Sequence, residues 1–211
     1  MTGSSRFTDR REAGQELGDA LQALDTEFEI VLTIPRGGLP LGRAVADVLA
    51  VPLDIVVAQK IGAPNNPEYA IGAVTNDGTV WRNEAAINRT GADETYFETQ
   101  RESEARNAQE KAERYRGGSQ PPKLEGKTVA VVDDGMATGS TMRAALKMLS
   151  DRGPARIVVG VPVGPLDTIQ ELEALVDDLV CLETPSHFRA VGQYYDRFDQ
   201  VTDDEAMAYL E

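Results

Sequence analysis

Two adjacent aspartates followed closely by a hydroxyl-rich turn make the most chemically loaded stretch of this 211-residue chain. Residues 129–141 read Val-Ala-Val-Val-Asp-Asp-Gly-Met-Ala-Thr-Gly-Ser-Thr. The pattern is an apolar strand ending in Asp133 and Asp134, then a short loop into a helix that opens with Thr138, Gly139, Ser140 and Thr141. The first N–H groups of a helix have no intrahelical acceptor, and the helix dipole places partial positive charge beside them. Gly139 has no side chain to hold a phosphate away from that backbone, and the three hydroxyls add donors. Such a turn suits a phosphate monoester. Two carboxylates would repel a bare phosphate, but they accept hydrogen bonds from vicinal hydroxyls and can hold a hydrated Mg²⁺. Phosphate and diol together describe a ribose 5-phosphate.

A second loop, Pro35-Arg36-Gly37-Gly38, follows the apolar run 30–34 and also leads into a helical pattern. Its glycines could turn backbone N–H groups toward a ligand, and Arg36 could fork onto phosphate oxygens. A glycine-rich strand–helix turn with no ligand has the same sequence. Lys60, after Gln59, ends the next strand, where a solvated lysine is the plain reading. Other phosphate loops fit poorly. Ser140 stands where a Walker A loop needs lysine, and no G-x-G-x-x-G fingerprint occurs.

The 129–141 segment closely resembles the phosphoribosyl pyrophosphate motif of type I phosphoribosyltransferases, over all thirteen residues. The resemblance implies that Ala137, Thr138, Gly139, Ser140 and Thr141 hold the 5-phosphate. Asp133 and Asp134 would meet the ribose hydroxyls and bind Mg²⁺ through water. Arg36, Gly37 and Gly38 would form the pyrophosphate loop, with a cis peptide at Pro35–Arg36 or Arg36–Gly37. Lys60 matches a lysine near the pyrophosphate, while Gln59 departs from the arginine that many members carry. Residues 61–74, with Glu68 and Tyr69, occupy the place of a flexible catalytic loop. Ala137 stands where 6-oxopurine transferases usually carry aspartate, which points toward the subset holding orotate and adenine enzymes. The segments KIGAPNNPEYAIGAV and FRAVGQYYDRF are similar to a bacterial and archaeal subgroup of the family.

The implied activity is transfer of phosphoribosyl from 5-phosphoribosyl 1-pyrophosphate to an unidentified, nitrogenous acceptor, with Mg²⁺ as cofactor and pyrophosphate released. Two other classes remain open: a non-catalytic sensor of that ligand or of a nucleotide monophosphate, and a hydrolase or phosphorylase of phosphoribosyl compounds. Family habit also implies a homodimer.

The elements that must position these residues are legible as periodicity. Residues 9–24 read as a helix capped by Asp9, with Ala13, Leu17, Leu21 and Leu24 on one face. Apolar strands at 30–34, 53–58, 128–133, 156–161 and 179–182 alternate with helices at 39–50, 139–150 and 166–176. This pattern predicts a parallel sheet with helices on both faces, whose ligands bind at the carboxyl ends of the strands. Residues 60–120 interrupt it with an expected hairpin, 70–74 and 79–82, and a charged helix over 93–115. The whole chain, 1–211, reads as one α/β domain of the type I phosphoribosyltransferase fold, with 60–120 as an insertion and 183–211 as a small hood. Phe188, Tyr194 or Tyr195 in that hood could stack a base or simply pack. His187, the only histidine, reads as an exposed loop residue or an acid–base group.

Composition bounds the partners. A net charge of −14 disfavours nucleic-acid backbones and suits a salt-adapted organism. No apolar run is long enough for a membrane span, and residues 1–14 lack the apolar core of a secretory signal. One cysteine, Cys181, in the apolar run LVCL, reads as a strand thiol and excludes an intrachain disulfide. These features point to a cytoplasmic protein.

Overall fold

The structure, a computed structural model, describes residues 6–210, so the first five residues of the N-terminal segment lie outside it. In chain order the elements are α1 (Arg10–Gln22), β1 (Ile30–Thr33), α2 (Gly38–Leu49), β2 (Leu53–Ile55), β3 (Ala58–Ala63), β4 (Asn66–Thr75), β5 (Val80–Arg82), α3 (Glu84–Thr90), α4 (Glu94–Arg116), β6 (Thr128–Val132), α5 (Ser140–Ser150), β7 (Arg156–Val163), α6 (Leu166–Glu173), β8 (Asp178–Glu183) and α7 (Asp203–Ala208). The described residues fall into two compact units, one of residues 6–55, 121–137 and 153–210, the other of 56–120 and 138–152.

The first unit is built on a five-stranded, wholly parallel sheet in the order β2-β1-β6-β7-β8. Its inner strands are apolar along their length, as burial on both faces requires: Val31, Leu32, Ala130, Val131, Val158 and Val159 are all inaccessible or nearly so. Each of the five apolar runs read from the sequence contains one of these strands, and the fold is α/β. Helix α1 crosses close to α2 because Gly14 and Gly18, one turn apart, leave room. A Cβ at Gly14 would lie 2.6 Å from the Leu41 carbonyl oxygen, and one at Gly18 2.8 Å from Val48 Cβ. Leu17 and Leu21 of α1 reach Gly160 on β7, which closes a core around Phe7, Leu41, Val45 and Tyr195. Asp9 caps α1 as expected, accepting from the N–H groups of Arg11 and Glu12.

The second unit is a three-stranded antiparallel sheet, β3-β4-β5, with α5 packed on it and α4 alongside. Ala144 of α5 meets Ala58 and Ala73, and Met142, Ala145, Leu146 and Leu149 of α5 are buried as the periodicity required. Three sequence expectations are corrected here. The run 53–58 is not one strand: β2 stops at Ile55 and β3, in the other sheet, begins at Ala58. Val56 and Val57 between them are buried without belonging to either strand, so burial alone explains their apolar character. Residues 61–74 are not a loop. They lie mostly in the β3–β4 hairpin, in which Lys60 faces Ala73 across the ladder with register shifts near Gly62. The expected two-stranded hairpin is therefore the second half of a three-stranded sheet. Helix α3 went unread, because seven residues with two buried apolar side chains give little periodic signal. Helix α4, otherwise charged, buries Phe97, Ala108, Ala112 and Tyr115.

Candidate active site

Asp133 and Asp134 leave the carboxyl end of β6, the central strand of the parallel sheet. The Asp134 N–H donates to Asp133 Oδ1 at 2.9 Å. Asp134 Oδ2 accepts from Arg10 Nε at 2.7 Å. Arg10 also donates through Nη1 to the Asp199 carbonyl at 2.8 Å, and its guanidinium carbon sits 3.7 Å from the centre of the Phe198 ring. The Asp134 carbonyl accepts from the Tyr195 hydroxyl at 2.6 Å. Burial, reinforced by the neighbouring Asp134 charge, pushes the Asp133 carboxyl well above the ordinary carboxylate range. Burial also raises Asp134, against the pull of the Arg10 charge and its hydrogen bond. Burial likewise pushes the Tyr195 phenol upward, helped by the Asp134 charge, so Tyr195 donates rather than ionises.

The loop 35–38 meets this acid pair, and its glycines have a steric reason. A Cβ on Gly37 would collide with Asp134 Oδ2; one on Gly38 would collide with Thr33 Oγ1 and come within 2.9 Å of Asp133 Oδ1. Gly37 sits at φ −56°, so close approach rather than backbone freedom demands glycine there. The sequence reading gave the N–H groups of both glycines to a ligand. The Gly38 N–H donates to the Ile34 carbonyl at 3.2 Å. The Pro35–Arg36 peptide is cis. Arg36, about one-third exposed, donates from Nη1 to Asp203 Oδ1 at 3.3 Å, at the start of α7. Beyond the acids, Gly135 has φ +153°, and a Cβ there would collide with Val191 Cγ1. Met136 is buried, and the exposed Ala137 accepts at its carbonyl from Thr168 Oγ1 at 3.1 Å.

The second unit carries the hydroxyl turn and Lys60. Gly139 stands as the cap of α5 at φ +67°, a left-handed conformation that costs glycine little. The Thr138 and Ser140 hydroxyls lie 3.0 Å apart; Ser140 is buried, Thr138 is exposed and Thr141 is half-buried. Ser140 is thus a hydrogen-bond partner of Thr138. Lys60 donates from Nζ to Glu68 Oε2 at 2.9 Å and to the Glu68 carbonyl at 3.2 Å. Tyr69, the other candidate of that segment, accepts at its hydroxyl from Arg89 at 3.2 Å.

A family model described as the phosphoribosyl transferase domain matches residues 8–199. The chain belongs to the phosphoribosyl transferase family. The crystal structure of TT1426 from Thermus thermophilus is similar, at 41% identity and a TM-score of 0.82 over 97% of both chains. A Mycobacterium tuberculosis protein, Rv0571c, which carries the name of a phosphoribosyl transferase, is 38% identical over 205 residues. That match takes in 97% of this chain but 46% of the relative, so the chain spans about half the length of the curated relatives it matches. The adenine phosphoribosyltransferase of Giardia lamblia, solved with 9-deazaadenine, shares the fold at 15% identity and a TM-score of 0.50, over 84% of this chain and 80% of that one.

Within this phosphoribosyl transferase chain, sequence reading missed Arg10, Thr33 and Tyr195 as neighbours of the acids. Arg10 lies 124 residues from Asp134, and no spacing signal spans that distance. A buried acid pair calls for a counter-charge, which was the one available hint. Tyr195 was considered for stacking, but it is buried against Phe7 with ring centres 5.5 Å apart. Phe188 and Tyr194 stack on each other at 5.8 Å, and His187 is exposed. Cys181 is half-buried on β8; burial pushes its thiol up to about 11. Among the described residues no helix is long and apolar enough to cross a membrane.

Proposed function

We propose that this chain binds 5-phosphoribosyl 1-pyrophosphate with Mg²⁺ and transfers the phosphoribosyl group to a nitrogenous acceptor, releasing pyrophosphate. The observation that carries the reading is the chain order at the end of β6: two largely buried carboxylates, then Thr138, Gly139, Ser140 and Thr141 at the start of α5. Ala137, Thr138, Gly139, Ser140 and Thr141 bind the 5-phosphate through N–H groups and hydroxyls. Asp133 and Asp134 accept from the ribose hydroxyls. No cluster of three or more histidine, cysteine or acidic side chains fit for a metal occurs among the described residues. Two carboxylates alone suit Mg²⁺, which keeps most of its water and takes further ligands from substrate phosphates. Asp133 and Asp134 would hold it through water, and it would neutralise charge on the pyrophosphate.

In the transfer, the bond from the anomeric carbon to pyrophosphate breaks and a bond to the acceptor nitrogen forms. Positive charge develops on the ring, as in glycoside chemistry, and the nearby carboxylates favour it. Arg36, Lys60 and the Gly37 N–H would serve the leaving group. Arg36 and Lys60 are each engaged with a carboxylate, Asp203 and Glu68, so ligand binding exchanges those partners for phosphate oxygens. Gly38 contributes by letting the loop approach Asp133.

The pairing of both cations with carboxylates also favours a second reading, a sensor that binds the ligand without turnover. Pyrophosphate release, measured over a panel of nucleobases with a no-base control, separates the readings. Base-dependent release is the expected result. Release without base would make the protein a hydrolase, and tight binding without release a sensor.

A further inference from the structure

Arg10 occupies an unfavourable place for a cation. It is the first residue of α1, where the helix dipole favours acids, and it is 9% exposed. Its guanidinium is nonetheless held on three sides: Nε on Asp134, Nη1 on the Asp199 carbonyl, and the planar face on Phe198. Tyr195 holds the same aspartate from its backbone side. The Asp134 side chain is 13% exposed, and its Oδ2 lies so close to Gly37 that no Cβ fits there. Asp134 is therefore fixed at carboxylate and carbonyl by side chains from α1 and from the segment after β8.

We infer that Arg10, completed by Tyr195, is a positioning residue that holds Asp134 in the orientation needed by a ribosyl ligand. This rests on the proposed function, in which Asp133 and Asp134 meet the ribose hydroxyls. Arginine suits the task better than lysine because its rigid fork serves two acceptors at once while stacking on an aromatic ring. Lysine at the same place would keep the charge but could not reproduce the two-pronged geometry. The competing account is a buried ion pair that only ties α1 to the tail, and it makes a different prediction about binding.

The test is titration of the full chain with 5-phosphoribosyl 1-pyrophosphate and Mg²⁺, with thermal unfolding of each variant in parallel. Arg10→Gln should weaken binding about tenfold, equivalent to about 1.4 kcal/mol. Arg10→Lys should recover thermal stability more fully than affinity. In an Asp134→Asn background, Arg10→Gln should change affinity less than about twofold, because the group it positions is already gone. Tyr195→Phe keeps the ring and removes the hydroxyl; it should weaken binding about threefold and serves as the readout if Arg10→Gln does not fold. Wild-type affinity in a folded Arg10→Gln, or in Tyr195→Phe in its place, would overturn the inference and leave the proposed function standing. Absence of binding by the wild-type chain would overturn both.

Discussion

At Asp134 a guanidinium lies at 2.7 Å, whereas Asp133 accepts a backbone N–H and has no ion pair among the described residues. The two acids therefore differ in what their removal should do. Asp133 is pushed upward by burial and by its neighbour's charge, so the fold disfavours its ionised form. A carboxyl whose folded pKa is raised loses the fold stability as pH climbs from the ordinary carboxylate range toward the folded value. At neutral pH, Asp133→Asn should accordingly leave the melting temperature unchanged or raise it. The same substitution should weaken binding of 5-phosphoribosyl 1-pyrophosphate with Mg²⁺ by about tenfold or more, since amide nitrogen cannot accept from a hydroxyl. Calorimetric titration and a thermal scan of one protein preparation check both halves; lower stability together with unchanged affinity would refute the assignment. Gly139 carries a different lesson. Its positive φ means that a β-branched replacement strains the backbone before it obstructs any phosphate, so loss of binding in Gly139→Val would not by itself locate a ligand.

Elements were legible wherever periodicity was strong. All five strands of the parallel sheet and the helices α1, α2, α5 and α6 were visible as apolar runs and i, i+3, i+4 faces. Misreadings gathered at 53–83, where short strands change partner sheets and where the apolar valines 56 and 57 imitate a continuing strand. Asp9 shows how a local signal can carry a testable energy. Its side chain caps α1 and also pairs with Arg197 at 2.5 Å. The Glu12 N–H, and after it Arg197, hold its carboxyl below the ordinary value. A depressed folded pKa contributes stability that is present above the unfolded value and is lost as pH falls through the folded one. Asp9→Ala should therefore cost about 1 kcal/mol at neutral pH. The gap between variant and wild type should narrow on acidification below about pH 4. Denaturant unfolding at several pH values reads this directly, and a gap that persists in acid would contradict the cap.

For the molecule as a whole the governing quantity is charge. At −14 the chain repels itself when folded, and added salt screens that repulsion. The melting temperature should rise as sodium chloride goes from about 0.01 M to about 0.5 M; a falling value would show that specific surface ion pairs outweigh the global term. The sequence by itself determined the α/β alternation, the strand that ends in Asp133 and Asp134, and the hydroxyl-rich turn behind them, because each is set within a dozen consecutive residues by period, caps and side-chain chemistry. Tertiary structure alone decided which side chains surround the acids: Arg10 from 124 residues away, Tyr195 from 61 away, and the bare backbone of Gly37 and Gly38. A buried charge must find its partner somewhere in the fold, but nothing local in the chain specifies where that partner lies.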